Sequence, residues 1–177
     1  MLCLTIYIHY QKTFFIMHEM VTREATLSDL DTLGTLWLTN AKLQAEYDGR
    51  FCPSTDGLVR WMDWARSWLA NDLYTVILVA ERDDYVLGYI AVQIEGGRPG
   101  MLPERVGRVR EMVVDQHDGE GVGTVLVDAV KNWFYDRYVS VVLADVPRRA
   151  SVQQAFWRAI GATVHTEVMY VKLGNHQ

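Results

Sequence analysis

Three glycines at alternate positions, set between two apolar runs, restrict the fold of this chain more than any other feature. They lie in the stretch DGEGVG at residues 118–123, with MVV shortly before it and TVLVDAV directly after it. A glycine costs roughly 0.5–1 kcal/mol relative to alanine inside regular structure, so stability does not explain the cluster. The pattern predicts a strand, a tight turn without bulky side chains and then a helix.

The start of such a helix suits an anionic ligand. Its first amide groups have no carbonyl partner within the helix, and the helix dipole adds partial positive charge at that end. A phosphate group is therefore the ligand that the turn favours. The alternative is a tight turn whose glycines have no binding role. A P-loop does not fit, because no Gly-Lys-Ser or Gly-Lys-Thr follows the glycines.

Length, charge and cysteine content limit the classes of protein that fit. The chain has 177 residues, half of them hydrophobic, and a formal net charge of −5. That length predicts one domain with its own core. Without a long basic run, the chain is a poor candidate for a general nucleic-acid binder. Cys3 and Cys52 fit neither a disulfide framework nor a metal site, so we predict a cytoplasmic, reduced protein without a metal.

Residues 1–19 are predicted to be an extension that precedes a domain of residues 20–177. The segment is apolar, but it has no basic residue before Lys12 and no small-residue cleavage site, so it does not resemble a signal peptide. Its apolar runs are shorter than the ~20 residues that span a bilayer, which predicts no membrane insertion. The alternative is an edge strand near residues 2–10. An exposed edge favours pairing between chains, so we expect a homodimer.

Hydrophobic periodicity predicts the order of the secondary structure. The predicted strands lie at 21–26, 74–81, 86–95, 105–116 and 140–147, with one or two more over 162–173. The predicted helices follow Ser28-Asp29, follow Ser54-Thr55-Asp56, and span 121–138 and 151–159. A strand meander combined with a strand–helix–strand crossover implies a mixed α/β or α+β sheet covered by helices. The apolar stripe of the second helix, which includes Trp61, Trp64 and Trp68, is predicted to lie in the core.

The central stretch of the chain resembles a known family. EMVVDQHDGEGVGTVLVDAVKNWF is similar to the acyl-CoA-binding motif of the GNAT superfamily of N-acyltransferases, an apolar strand followed by Arg/Gln-x-x-Gly-x-Gly/Ala. AFWRAIGA, LWLTNAKLQAEYDGRF and VLGYIAVQ resemble the family's late helix, early helix and hairpin, in the same order, so the resemblance covers about residues 20–173. It implies a mixed, mostly antiparallel sheet flanked by helices, with a splayed pair of strands at the acyl-CoA site.

The resemblance also implies acetyl-CoA as cosubstrate and assigns residues to it. Met112, Val113 and Val114 would line the pantetheine arm. The residues assigned to the phosphates and the turn around them are Asp118, Gly119, Glu120, Gly121, Val122, Gly123 and Thr124. Trp157 is assigned to the same site, where many members carry a tyrosine that serves as general acid; an indole N–H donates a hydrogen bond but is not an acid in this pH range. Asp118 and Ala150 also depart from the family pattern, and Asp118 places an anion beside an anionic cosubstrate.

Acyl transfer to an amine requires a neutral amine, a route for its proton and stabilisation of the developing oxyanion. Glu111, on the splayed strand, is predicted to accept the proton, with a pKa raised by apolar neighbours. The alternative for Glu111 is a surface glutamate paired with Arg108 or Arg110. Tyr170 is the candidate acid for the leaving thiolate, and the alternative is a structural tyrosine on an amphipathic strand. The predicted oxyanion donors are the backbone amides of Val113 or Val114.

The function predicted from these residues is transfer of an acetyl group from acetyl-CoA to a primary amine of a small molecule or protein by direct attack. Loops are expected to contact the acceptor, because loops carry specificity on a rigid scaffold. The candidate contacts are Tyr47, Asp48, Arg50, Phe51 and the loop 96–104. The alternative is a non-catalytic acyl-CoA sensor or scaffold with the same fold, which the departures at Asp118, Ala150 and Trp157 favour.

Overall fold

The computed structural model describes residues 19–50, 52–70, 73–117 and 119–171, and these form five strands and four α-helices. The predicted extension lies outside the described residues, apart from Glu19. The strands are β1 (Val21–Glu24), β2 (Thr75–Arg82), β3 (Tyr85–Gly96), β4 (Arg105–Val114) and β5 (Val142–Ala144). The helices are α1 (Leu30–Tyr47), α2 (Gly57–Leu69), α3 (Val122–Tyr135) and α4 (Ser151–Ala159), with a 3-10 turn over Leu27–Asp29 before α1.

The strands form one sheet in the order β1-β2-β3-β4-β5. The first three pairs are antiparallel, and β4 pairs with β5 in parallel. A parallel pair needs a long crossover connection, and α3 supplies it. This arrangement confirms the predicted mixed, mostly antiparallel sheet flanked by helices.

A two-residue turn joins β2 to β3. Asp83 and Asp84 both have positive φ angles, 54° and 65°, as a type I′ hairpin turn requires at its two central residues. Aspartate tolerates this left-handed region better than most residues. The tight turn fixes the pairing of β2 with β3. In the strand order of the sheet, β3 is the central strand.

Each face of the sheet carries a hydrophobic core. The cluster under α3 includes Ile90, Val92, Leu126, Val130 and Phe134. The cluster under α1 and α2 includes Leu33, Trp61, Ala65, Tyr89 and Val113. Successive residues of a strand point to opposite faces, so β3 supplies both clusters from alternate positions.

A β-bulge interrupts the pairing of β3 with β4. Ala91 lies opposite Glu111 and Val92 lies opposite Val109, which leaves Arg110 as an extra residue. A bulge of this kind reverses the phase of the side chains that follow it and redirects them to the other face of the sheet.

The faces reached by the β4 side chains show this reversal. Val109 packs under α3, and so do Met112 and Val114, although an unbroken strand would separate Val109 and Met112 onto opposite faces. Val113 packs under α1 and α2, and Glu111 contacts Trp61 of α2 on that same face. The bulge therefore places Glu111 on the face covered by α1 and α2.

Two sequence predictions are wrong at the C-terminal end of the domain. The strand predicted over 140–147 is confined to Val142–Ala144, and residues 162–171 form no strand. The apolar alternation of that last segment is typical of a strand, but its side chains are exposed in the described structure and have no covering layer. Gly161, with a φ of 93°, follows the C-cap residue Ile160 in the left-handed conformation that commonly ends a helix.

Candidate active site

A cleft opens where β4 and β5 separate. The two strands pair only from Gly107 opposite Val142 to Val109 opposite Ala144. Beyond Ala144 the chain reaches Pro147, which has no backbone N–H to donate to a ladder. The resulting cavity, called the main cleft below, has a volume of about 710 Å³. Its walls are residues 109–117 of β4 and the following turn, one face of α1, the N-terminal turn of α3, the end of β5 and α4.

The exposed edge of β4 presents backbone amides to the main cleft. The amide of Asp115 donates to the carbonyl oxygen of Leu87, so it points toward β3, at an N···O distance of 2.7 Å. Amide directions alternate along an antiparallel strand. The amides of Met112 and Val114 therefore point toward the cleft, and the amide of Val113 points toward β3. Of the two predicted oxyanion donors, Val114 has the required direction and Val113 does not.

The glycine turn forms one end of the main cleft, at the N-terminus of α3. Gly121 precedes the helix in a left-handed conformation, with a φ of 78°, and a Cβ atom there would meet no atom within 4 Å. Gly123 has a different role, because a Cβ atom there would lie 3.1 Å from the ring of Phe156 in α4. Gly121 thus leaves space for a ligand, and Gly123 allows close packing of α3 against α4.

Most of the residues that the sequence assigned to the cosubstrate meet at the main cleft. Those that line it are Met112, Val113, Val114, Gly119, Gly121, Gly123, Thr124 and Trp157. Two assigned residues are not among those that line it. The side chain of Val122 is fully buried in the core under α3, where it packs with apolar neighbours. Glu120 is exposed and does not belong to the lining, and Asp118 lies outside the described residues.

Glu111 is held by two hydrogen bonds to the same oxygen. Its Oε2 atom accepts from Nε1 of Trp61 at 2.9 Å and from the hydroxyl of Tyr89 at 2.7 Å. The carboxylate borders the main cleft. Neither donor can be recognised from the sequence, because Trp61 and Tyr89 are 50 and 22 residues away along the chain.

The alternative interpretation of Glu111, a pair with a neighbouring arginine, is wrong in the structure. Arg108 binds Glu95 at 2.9 Å, with Asp145 at 3.4 Å. Arg110 binds the same Glu95 at 2.7 Å. Both arginines are thus engaged by other acidic residues, and neither pairs with Glu111.

The surroundings of Glu111 alter its acidity. Burial raises the pKa of the Glu111 carboxyl above its ordinary value, and the hydrogen bonds from Tyr89 and Trp61 offset part of that rise. Burial and the nearby Glu111 carboxylate raise the pKa of Tyr89 well above its usual value, so its hydroxyl stays protonated as a donor. A carboxylate with a raised pKa is suited to exchange protons near neutral pH.

The structure does not bring Tyr170 to the main cleft. Tyr170 lies in the segment after α4, half-exposed, with the guanidinium of Arg50 4.4 Å from its ring centroid. Trp157 does line the cleft and packs edge-on against Phe156, with ring centroids 5.6 Å apart. The aromatic side chains of α4 that line the cleft are therefore a phenyl ring and an indole, and neither is an acid.

The predicted acceptor contacts divide between the cleft and its surroundings. Tyr47 lines the main cleft, and Asp48 and Arg50 form an ion pair just beyond the end of α1. Phe51 lies outside the described residues. The described loop 96–104 lines neither the main cleft nor the groove described next.

A second, smaller cavity, the tryptophan groove, lies beside Glu111. It has a volume of about 400 Å³. Its walls are Trp61, Trp64 and Trp68 of α2, Gln93 of β3, and Arg110 and Glu111 of β4. The predicted core position holds for Trp61, which is 8% exposed, but Trp64 and Trp68 are only partly buried.

Comparisons with known proteins fit this arrangement. The sequence profile of the acetyltransferase (GNAT) family matches residues 37–161. A search of curated protein sequences finds no match. Within the described ranges, no helix combines the length and the apolar character that crossing a bilayer requires.

Several solved structures share the fold at low sequence identity. A mutant of BH1408 from Bacillus halodurans is 18% identical, with a TM-score of 0.75 over 86% of this chain and 99% of that protein. The aminoglycoside 6′-N-acetyltransferase AAC(6′)-IG from Acinetobacter haemolyticus is 18% identical, with a TM-score of 0.67 over 88% and 99%. A predicted acetyltransferase from Clostridium acetobutylicum, solved with acetyl-CoA, is 18% identical, with a TM-score of 0.67 over 87% and 96%.

Proposed function

The chain belongs to the acetyltransferase (GNAT) family, and from this premise we propose that it transfers an acetyl group from acetyl-CoA to a primary amine of a small molecule or protein by direct attack. Acetyl-CoA is the cosubstrate, and it supplies an acetyl group activated as a thioester. The observation that carries the proposal is the Glu111 carboxylate, held on β4 at the border of the main cleft with a raised pKa.

The main cleft has the features that coenzyme A needs. The amides of Met112 and Val114 point into it from the edge of β4, so one of them is available to an amide oxygen of the pantetheine arm and the other to the thioester carbonyl oxygen. At the far end, the first turn of α3 presents the amides of Gly123 and Thr124, which suit phosphate oxygens. The conformation of Gly121 keeps a side chain out of that space.

We propose that Glu111 accepts the proton that the amine loses. In the overall reaction a C–N bond forms and the thioester C–S bond breaks. The neutral amine loses a proton to Glu111 as it attacks, the departing thiolate takes a proton from water, and the hydroxide that remains takes the proton back from Glu111. The amide of Val114 donates to the carbonyl oxygen as negative charge develops on it, since a preorganised donor stabilises that charge. Tyr170 lies outside the cleft lining, so the proposal assigns it no proton.

A non-catalytic acyl-CoA sensor or scaffold is the second candidate. Trp157 favours it, because an indole beside the cleft cannot act as an acid where the family often carries a tyrosine. The buried position of Glu111 beside the cleft favours the enzyme, since an ionisable group in such a place has a cost that a purely binding protein need not bear.

Turnover separates the two candidates. We expect a panel of primary amines with acetyl-CoA to yield free CoA thiol and N-acetylated products, detected by a thiol reagent and by mass spectrometry. Coenzyme A should also raise the melting temperature, because a ligand that binds only the native state stabilises it. A melting shift without product from any amine would favour the sensor, and stabilisation by ATP but not by coenzyme A would remove the cosubstrate assignment.

We also propose that the protein is a cytoplasmic homodimer. Within the described sheet, β1 and β5 are edge strands, and an open edge favours pairing with another chain. Light scattering at micromolar concentration should give twice the mass of one chain, and the mass of a single chain would contradict the dimer.

A further inference from the structure

The tryptophan groove is built by one face of α2 lying over the edge of β4. Trp61, Trp64 and Trp68 are three and four residues apart, so they share one side of the helix. The ring centroids of Trp64 and Trp68 are 4.6 Å apart, and those of Trp61 and Trp64 are 6.0 Å apart. Trp64 and Trp68 leave part of their indole surface open to the groove. Contact of apolar indole surface with water is unfavourable, so covering that surface favours the binding of a flat, apolar ligand.

The groove meets the main cleft at Glu111. Glu111 and Arg110 line both cavities. A molecule in the groove can therefore place an amino group at the Glu111 carboxylate, at the border of the space assigned to the thioester. The volume of about 400 Å³ lies within the range typical of small-molecule sites, roughly 300–1,000 Å³.

We propose that the tryptophan groove is the acceptor site, and that the acceptor is a monoamine with an aromatic or flat apolar body; this inference rests on the proposed acetyltransferase function. The amino group approaches Glu111, and the body lies against Trp64 and Trp68. Indole faces also attract a cation, so they favour entry of the amine in its protonated form. The ammonium loses one proton to water at the border of the cleft, and the neutral amine then loses its second proton to Glu111 as it attacks.

The charges of the groove disfavour an acceptor with several ammonium groups. Glu111 is the one carboxylate among its described lining residues, and Arg110 places a guanidinium in the same wall. Hydrogen bonds to Gln93 at 3.0 Å and to Glu95 at 2.7 Å hold that guanidinium in position. A polycation would place a second positive charge near Arg110, and like charges in contact are disfavoured. We therefore expect this chain to differ in acceptor from the aminoglycoside acetyltransferases that share its fold.

Acetylation kinetics with three amines test the inference. 2-Phenylethylamine carries one amino group and a flat ring, butylamine carries one amino group without a ring, and neamine carries several ammonium groups. We expect kcat/KM for 2-phenylethylamine to exceed the values for butylamine and neamine at least tenfold. Equal values for the three amines, with acetylation present, would overturn the acceptor site and leave the proposed function intact.

Substitutions of Trp64 and Trp68 test whether the acceptor binds in the tryptophan groove. Trp68→Leu and Trp64→Leu should each raise KM for 2-phenylethylamine about tenfold, change KM for butylamine less than twofold, and keep the melting shift with coenzyme A. The matched control is Tyr135→Ala, which removes an exposed aromatic ring from α3, outside both cavities, and should behave like the wild type. Unchanged KM for 2-phenylethylamine in both tryptophan variants would overturn the proposal.

Direct binding separates failure of the groove from failure of the proposed function. Calorimetry with protein saturated by coenzyme A should detect 2-phenylethylamine binding, weakened about tenfold by Trp68→Leu. Binding with that weakening, but without turnover of any amine, would support the groove as a ligand site and contradict the acetyltransferase proposal. Absence of binding together with absence of any preference among the amines would overturn the groove.

Discussion

The glycine turn and the Glu111 carboxylate border the same cleft, but the chain assembles them in different ways. The turn and the first turn of α3 come from one short stretch, 119–124. The hydrogen bonds that hold Glu111 come from α2 and β3, 50 and 22 residues away. A contiguous site can be recognised from a motif, whereas a site assembled from distant elements depends on the register of the sheet. The two regions should therefore respond differently to substitution.

The largest expected loss of turnover follows substitution of Glu111, in the region that is assembled from distant elements. Glu111→Gln keeps the shape of the side chain but removes the proton acceptor, so kcat should fall about 10²- to 10⁴-fold, the usual loss for a general base. The deficit should shrink as pH rises, because more of the amine is then already neutral. Initial rates from pH 6 to 10 measure this dependence.

Glu104→Gln, at an exposed glutamate outside both cavities, is the matched control and should retain full activity. The Glu111→Gln protein should also keep its melting shift with coenzyme A. If Glu111→Gln turned over normally at pH 7, the glutamate would be structural and the proton would leave by another route.

The next largest effect is expected at the glycine turn, the contiguous region, and it concerns the binding of coenzyme A. Gly121→Glu introduces an anion and a side chain into the space that Gly121 leaves open. We expect it to abolish coenzyme A binding and with it the melting shift, which at 100 times Kd corresponds to about 2.7 kcal/mol of stabilisation. Gly121→Ala, which shares the strain of a positive φ without the charge, is the control and should keep a measurable shift. An unaltered shift in Gly121→Glu would place the phosphates elsewhere.

A smaller effect is expected when one donor to Glu111 is removed. Tyr89→Phe deletes the hydroxyl that donates to Oε2 at 2.7 Å and keeps the ring in the core. That hydrogen bond favours the charged carboxylate, so its loss raises the pKa of Glu111 further. The acidic limb of the kcat/KM profile should move to higher pH, with about tenfold lower values on that limb and convergence with the wild type at high pH.

Thermal unfolding gives a second measure of the same change. The pKa of Glu111 is already raised in the folded protein, so its contribution to stability is present at low pH and is lost as pH rises through the folded pKa. Tyr89→Phe should increase that loss, and the difference in melting temperature from the wild type should widen with pH. A difference independent of pH would mean that the hydroxyl does not act on Glu111.

The smallest effect is expected at Tyr170, outside the cleft lining. Tyr170→Phe keeps an aromatic ring beside Arg50 and removes only the hydroxyl. Turnover should change less than twofold, since the proposal gives Tyr170 no proton to transfer. A loss of tenfold or more, with coenzyme A binding intact, would restore Tyr170 as the acid for the leaving thiolate.

The fold could be predicted from the sequence to the extent that its signals are local. Helical spacing predicted α1 and α2, Ser151 and Gly161 marked the ends of α4, and the short polar loop 82–85 predicted the β2–β3 hairpin. The apolar alternation over 162–171 predicted a strand that the described structure lacks, because alternation gives the two faces of a segment but not the layer that covers one of them.

The candidate site, too, could be predicted from the sequence only where its signals are local. Glu111 could be selected from its place before the glycine turn, but Trp61 and Tyr89 could not be assigned to it without the pairing of β3 with β4. Helical spacing likewise grouped Trp64 and Trp68 with Trp61, yet it could not show that they border a groove. The direction of the Val114 amide, too, depends on register rather than on residue type.

The extra residue at Arg110 lies between two pairs that are already in register, Val109 with Val92 and Glu111 with Ala91. Deleting that single residue would close the ladder in its present register, so Glu111 would keep its face and the glycine turn would keep its place. A deletion or insertion between Glu111 and the glycine turn has a different outcome, because either the carboxylate keeps its layer and the turn moves one step along the sheet, or the turn stays and the acid changes layer. Length changes between Glu111 and Gly119 are therefore more damaging to this protein than most replacements, whereas homologous chains should tolerate loss of the residue at 110.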